Sequence, residues 1–354
     1  MRESSLKSID RSNMYDKIVS FPQQLVEGIR IGKNADLKGL TDHKYNNIVL
    51  AGMGGSAIAG DLVKSVLLDE LKVSLTVNRN YGLPSFIDGD SLVICSSYSG
   101  NTEETLSAFD EAVKRGCQIL CLSTGGELAA GAERTDAAQV KIPTDYMPRE
   151  ALGYSFSPLL IILGRLGFCR DFAEELRSCS AKLEEWKKQY LFDAENNISA
   201  VLADKLAGKI AIIYSDSVKL NSAALRFKGQ ICENAKQLAF CNVFPEFNHN
   251  ELVGWEISSR EADRFMVVFL RDRNDQPQIT RRIDTVRDII AKKKVEVVEL
   301  YARGDNPLQR VFSIVQLVDF TSYYLALKNG VDPTPIRLID YLKESLIGKA
   351  KEEQ

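Results

Sequence analysis

Between residues 96 and 105 the chain reads Ser96-Ser97-Tyr98-Ser99-Gly100-Asn101-Thr102-Glu103-Glu104-Thr105. Six of these ten side chains carry a hydroxyl and none is cationic. Hydroxyls donate hydrogen bonds without adding charge. At a helix start the first N–H groups lack intrahelical partners and the dipole is positive, so such a cluster suits an anion, phosphate above all. A second loop of small residues, Ala51-Gly52-Met53-Gly54-Gly55-Ser56-Ala57, offers the same kind of backbone. Other positions carry proton-transfer or charge-stabilising groups. Glu233, in Gln230-Ile231-Cys232-Glu233-Asn234-Ala235, sits beside apolar neighbours that favour a raised pKa and hence a base. It reads equally well as a helix N-terminal acid held by the dipole. His249 lies in a polar stretch, Pro245-Glu246-Phe247-Asn248-His249-Asn250-Glu251, and titrates in the range a shuttle needs. Arg149 follows Pro148 and is available to meet negative charge or to form a surface ion pair.

Both small-residue loops follow short apolar strands, Ile48 to Ala51 and Leu92 to Cys95, and lead into helical patterns, Ala57 to Leu71 and Thr105 to Arg115. Further strands are expected at residues 73–77, 118–123 and 138–142. Short apolar strands alternating with helices imply a parallel sheet covered on both faces, with ligands outside the carboxyl ends of the strands. Ser56 on one loop and Ser97, Ser99 and Thr102 on the other could therefore converge on one phosphate. A charged helix, Leu176 to Leu191, reads as a connector. A second alternation follows: a strand at 210–214, helices at 220–229 and 234–240, strands at 265–270 and 295–300 around a helix at 281–292, and closing helices at 308–327 and 335–349. The chain thus divides into two α/β domains, residues 1–165 with an N-terminal helix and 206–354 with a C-terminal helix, joined by a helical connector, 166–205.

Composition removes several classes. The net charge is −3 and disfavours nucleic acid as a partner. No apolar run is long enough for a membrane span. Met1 to Asp10 lacks the apolar core of a secretory signal. The seven scattered cysteines, without a CxxC pair, and only two histidines make a metal site unexpected and fit buried thiols in a reducing cytoplasm. His43 belongs to a surface loop.

Two rival readings concern the loops. Gly52-x-Gly54-x-x-Ala57 satisfies a loose dinucleotide pattern, but the next strand ends in Val77-Asn78-Arg79 with no carboxylate for a ribose. Arg79 would serve only a 2′-phosphate, as in NADP. The first loop also reads as a tight turn that only packs helix on strand. The hydroxyl loop also reads as an ordinary cap built on Asn101 and Glu104.

Gly54-Gly55-Ser56 together with Ser97-Tyr98-Ser99-Gly100-Asn101-Thr102 resembles a sugar isomerase (SIS) domain. Met147-Pro148-Arg149-Glu150-Ala151-Leu152-Gly153, Glu233-Asn234 and Phe247-Asn248-His249-Asn250-Glu251 narrow the resemblance to the bifunctional phosphoglucose/phosphomannose isomerases, along nearly the whole chain. The resemblance implies two SIS domains, each a parallel sheet between helices (an α-β-α sandwich), in a homodimer. It implies metal-independent, cofactor-free interconversion of glucose 6-phosphate and mannose 6-phosphate with fructose 6-phosphate through a cis-enediol. Gly55, Ser56, Ser97, Ser99 and Thr102 would hold the phosphate. Glu233 would be the base, Arg149 the enediolate cation, and His249 the ring-opening group, contributed by the partner subunit. Lys343, in the C-terminal helix, would assist. Competing expectations are a non-catalytic SIS sugar-phosphate sensor, an amino-sugar isomerase domain, and an NADP-dependent oxidoreductase.

Overall fold

The computed structural model describes residues 8–256 and 259–352, with side chains for all of these except 259–260 and 347–352. Met1 to Lys7, within the polar amino-terminal stretch, lie outside the described residues.

Two helices, α1 (Met14–Val19) and α2 (Phe21–Asn34), lead into β1 (Asn47–Ala51), α3 (Gly54–Val66), β2 (Ser74–Asn78), β3 (Ser91–Ser96), α4 (Glu103–Lys114), β4 (Gln118–Ser123), α5 (Gly126–Thr135) and β5 (Ala138–Lys141). These five strands form one parallel sheet in the order β2-β1-β3-β4-β5. β3 is buried at every position, which is why it reads as an unbroken apolar run rather than an alternating one. The chain leaves β1 for β2 on one side and returns to β3 on the other. The crevice between the carboxyl ends of β1 and β3 is therefore the switch point of the sheet. Both small-residue loops sit there.

After α6 (Leu152–Arg165), α7 (Ala173–Trp186) and α8 (Ile198–Leu206) comes the second unit. It contains β6 (Ile210–Asp216), α9 (Asn221–Ala235), β7 (Ala239–Phe244), α10 (Ser259–Ala262), β8 (Phe265–Arg271), α11 (Pro277–Lys292), β9 (Glu296–Tyr301), α12 (Pro307–Lys328) and α13 (Arg337–Glu352). Its four strands are again all parallel, in the order β7-β6-β8-β9. The α/β class, with two parallel sheets each flanked by helices, is as expected from the sequence.

The two units share a helical core. α3 packs against α9, where the Ser65 and Ser222 hydroxyls meet at 2.9 Å, and α12 packs against α7, α8, α3 and α9. α12 is buried along almost its whole length, so its polar residues Gln316, Asp319, Thr321 and Ser322 must find partners inside the protein.

One local expectation is corrected. The residues expected to form a helix over 234–240 instead end α9 and begin strand β7. α9 runs through Gly229, where a side chain would meet nothing within 4 Å, and stops at Lys236, which adopts the left-handed conformation (φ 54°). Glu233 consequently lies in the last turn of a helix, not the first. The reading of it as a dipole-stabilised N-terminal acid is overturned, because the dipole at a C-terminus disfavours a carboxylate.

Candidate active site

At the switch point the hydroxyls are drawn together. Ser97 and Thr102 hydroxyls lie 2.8 Å apart, and Ser56 Oγ accepts a hydrogen bond from the Tyr98 N–H at 3.2 Å, which links the two loops. Ser56 and Ser97 are almost fully buried, whereas Ser99 is exposed and accepts from the Asn101 N–H. The rival reading, an Asn101–Glu104 cap, does not hold. Thr102 is the N-cap residue of α4 and makes no side-chain cap bond, and Asn101 Oδ1 instead accepts from the Glu127 N–H at 3.0 Å. Gly100 turns the loop at φ 71°, where an added Cβ would lie 1.8 Å from the Gly125 carbonyl oxygen. Tyr98 ties the loop to the next segment: its hydroxyl donates to the Pro143 carbonyl at 2.9 Å and accepts from the Tyr146 N–H at 3.0 Å. Arg79, the side chain left for a 2′-phosphate, is paired with Asp61.

The segment after β5 brings Arg149 to this crevice. A Cβ on Gly55 would lie 2.7 Å from the Pro148 carbonyl group and 2.9 Å from the Arg149 nitrogen, so only glycine lets the start of α3 touch that segment. The same segment is clamped from the other side. Glu150 accepts from the Met147 N–H at 2.8 Å and pairs with Lys17 of α1 at 3.0 Å. The Gln24 side chain of α2 donates to the Glu150 carbonyl at 2.8 Å and accepts from the Gly153 N–H at 3.2 Å. The N-terminal helices thus hold the loop that carries Arg149.

Arg149 is 4% exposed, and burial lowers its pKa. Its Nε donates to Asn234 Oδ1 at 2.7 Å, and Nη2 donates to the carbonyls of Pro333 at 2.9 Å and Thr334 at 2.7 Å. Nη1 stands 3.5 Å from the Glu233 carboxylate, whose side chain is 32% exposed. Ile231 is fully buried in the core, so Glu233 faces a guanidinium and solvent rather than an apolar pocket. Behind the pair, Arg226 makes a two-point contact with Asp319 (2.9 and 2.7 Å) and also donates to the Arg149 carbonyl at 2.9 Å. Gln230 donates to the same Asp319, and Asn234 donates to Ser322. Every charge in this buried layer has a partner, as its burial requires.

The site residues expected from the sequence therefore fall into two groups. Gly55, Ser56, Ser97, Ser99 and Thr102 gather at the switch point, with Arg149 beside them and Glu233 beyond it. His249 and Lys343 do not join them within the chain. Glu233 lies in the last turn of α9, whereas His249, which is exposed, lies in the segment after β7, which folds back so that Glu251 accepts from Asn242 of that strand at 2.6 Å. Among the described residues no hydrogen bond or ion pair joins His249 to Glu233 or Arg149. Lys343 is exposed on α13, a helix that also exposes Leu338, Tyr341 and Leu342.

Sequence reasoning missed the supports: Gln24, Glu150, Arg226 and Asp319. One of them left a signal, since Asp319 is the only charged residue between Arg310 and Lys328. A lone charge in a helix this rich in apolar residues must be paired inside.

No group of three or more His, Cys, Asp or Glu side chains able to hold a metal ion occurs among the described residues. No helix among them is long and apolar enough to cross a membrane.

Known proteins resemble the chain along nearly all of it. A family profile described as the bacterial phospho-glucose isomerase C-terminal SIS domain matches residues 195–346. A bifunctional phosphoglucose/phosphomannose isomerase of Caldicellulosiruptor bescii is 39% identical over 94% of this chain and 98% of its own. A protein of the same name from Aquifex aeolicus is 34% identical over 85% of this chain and 91% of its own. In structure, the C-terminal domain of glucosamine-fructose-6-phosphate aminotransferase from Francisella tularensis superimposes with a TM-score of 0.69 over 91% of this chain and 98% of that one, at 18% identity, and so shares the fold. The chain belongs to the bifunctional phosphoglucose/phosphomannose isomerase family.

Proposed function

We propose that the protein interconverts glucose 6-phosphate and mannose 6-phosphate with fructose 6-phosphate through a cis-enediolate. The observation that carries the reading is the contact at Gly55, which sets the start of α3 against the backbone of Arg149, whose guanidinium in turn faces Glu233. Ser56, Ser97, Ser99, Thr102 and the N–H groups at Gly55 hold the phosphate. The other end of the sugar then lies against the Arg149–Glu233 pair. Glu233 takes the proton from one carbon of the C1–C2 pair and returns it to the other. Arg149, held rigidly by Asn234 and two carbonyls, meets the negative charge that develops on the oxygens, where a fixed cation lowers the barrier most. The two aldoses differ only at C2, so they share this intermediate and one base serves both.

Ring opening falls to His249. The exposure of His249, with no bond to Glu233 or Arg149 among the described residues, favours its delivery by a second copy of the chain, in a homodimer. Lys343 has an auxiliary role in the same assembly. It rides on α13, and the exposed Leu338, Tyr341 and Leu342 make that helix a surface suited to a second copy. The free thiols, four of them buried, fit a cytoplasmic enzyme.

The test is an assay with fructose 6-phosphate in excess EDTA. Both glucose 6-phosphate and mannose 6-phosphate should form. Turnover to neither product, with binding of the sugar phosphate retained, would instead support a sensor. Glu233→Gln should abolish isomerisation and leave binding intact. An equal loss of binding and rate would make Glu233 structural.

A further inference from the structure

Helix α9 ends in an unusual way. Its C-cap residue, Lys236, adopts the left-handed conformation (φ 54°, ψ 37°), which favours glycine or asparagine over any longer side chain. Lys236 is exposed as a residue, but its side chain folds back so that the ammonium reaches the helix end. Its Nζ donates to the Glu233 carbonyl at 2.6 Å and to the Pro333 carbonyl at 3.1 Å. The Pro333 carbonyl also accepts from Arg149 Nη2 at 2.9 Å. One carbonyl oxygen thus receives both cations, and the lysine bridges the backbone of Glu233 to the anchor of Arg149.

We propose that Lys236 is a positioning residue of the isomerase site, pinning the last turn of α9 to the Pro333 carbonyl so that the Glu233 carboxylate stays in register with the Arg149 guanidinium. This inference rests on the isomerase reading above. The charged groups facing Lys236 are Arg149 from the segment before α6, Glu233 from its own helix, and Asp332 from the loop after α12. Burial and then Arg149 lower the Lys236 pKa to about 8, against the opposing pull of Asp332 and Glu233. A neutral amine makes weaker hydrogen bonds to the two carbonyls than an ammonium does. The clamp is therefore firm below its pKa and slackens as pH rises through it.

The experiment measures kcat and KM for fructose 6-phosphate against pH, from about pH 6 to 10, for the unmodified protein, Lys236→Gly and Lys236→Arg. Glycine removes the side chain while suiting the left-handed backbone, so the fold is retained; thermal melting checks this. Lys236→Gly should lose about 10–100-fold in kcat with KM little changed, the effect of a misplacement below 1 Å. It should also lose the alkaline fall near pH 8. Lys236→Arg, which stays charged, should recover much of the rate and keep it above that pH. Unchanged kcat and an unchanged alkaline fall in Lys236→Gly would overturn the proposal while leaving the isomerase reading intact. An unmodified protein inactive on both aldose phosphates would overturn that reading, and this proposal with it.

Discussion

Gly55→Ala should separate the proposed phosphate loop from the Arg149–Glu233 pair. A Cβ at this position would lie 2.7 Å from the carbonyl carbon and oxygen of Pro148 and 2.9 Å from the Arg149 nitrogen, against an ordinary contact of at least 3.4 Å. These are backbone atoms, so the two segments must part by about 0.7 Å; no side-chain rotation relieves the clash. The Arg149 loop cannot follow freely, because Gln24, Glu150 and Arg226 hold it from the far side. Displacements of this size in a reacting constellation cost about 10–100-fold in rate, and overpacking of a closed contact costs about 1–3 kcal/mol of stability. A coupled assay following glucose 6-phosphate formation, together with a thermal melt, reads both. Gly229→Ala is the control. It lies on α9 four residues before Glu233, its Cβ would meet nothing within 4 Å, and alanine there should add about 0.5–1 kcal/mol with kcat unchanged. A Gly55→Ala protein within twofold of the parent in kcat and with the same melting temperature would refute the close-contact argument.

Three further expectations follow from the geometry. Glu233→Gln and His249→Asn should each be inactive alone, and mixing them with subunit exchange should recover about a quarter of the parent activity, because half of the dimers are mixed and each carries one intact site; no recovery would show that His249 acts within its own chain or not at all. Ser97→Ala removes a buried hydroxyl paired with Thr102, and should raise KM for the hexose phosphate about tenfold or more while the rate on unphosphorylated fructose is unaffected; an equal loss on both sugars would make Ser97 a packing residue. Asp275 has one oxygen without a hydrogen-bond partner and lies near Asp216 and Asp272, with Lys219 at 4.0 Å. Burial first, and then these carboxylates, push its pKa up to about 6, so its charge destabilises the fold above that pH and stability should rise as pH falls from about 6 towards 4. Asp275→Asn should therefore gain about 2 kcal/mol in urea denaturation at neutral pH and lose this dependence, whereas an unchanged pH profile would contradict the assignment.

Much of the proposed phosphate end of the site could be read from the sequence because it is local. A strand, a glycine turn and a helix start are consecutive in the chain, so Gly54-Gly55-Ser56 and Ser97 to Thr102 carry their geometry in their own spacing. Where local signals were read too strictly, they misled. Gly229 looked like a helix boundary, yet one glycine in an open helix face is tolerated, and α9 continues through it to Glu233.

The sequence by itself therefore determined the α/β class, the two small-residue loops at strand ends, and a chemistry of neutral donors suited to a phosphate, since all of these follow from periodicity and from residues close together in the chain. Only the tertiary structure decided that Gly55 touches Arg149, that Arg149 faces Glu233, and that Lys236 and Pro333 close the same corner. Those relations join residues as far apart as Gln24 and Glu150, or Arg149 and Thr334. They depend on which helix faces pack and on which partner each buried charge finds, and the local chain names neither, even where, as at Asp319, it signals that a charge must be paired.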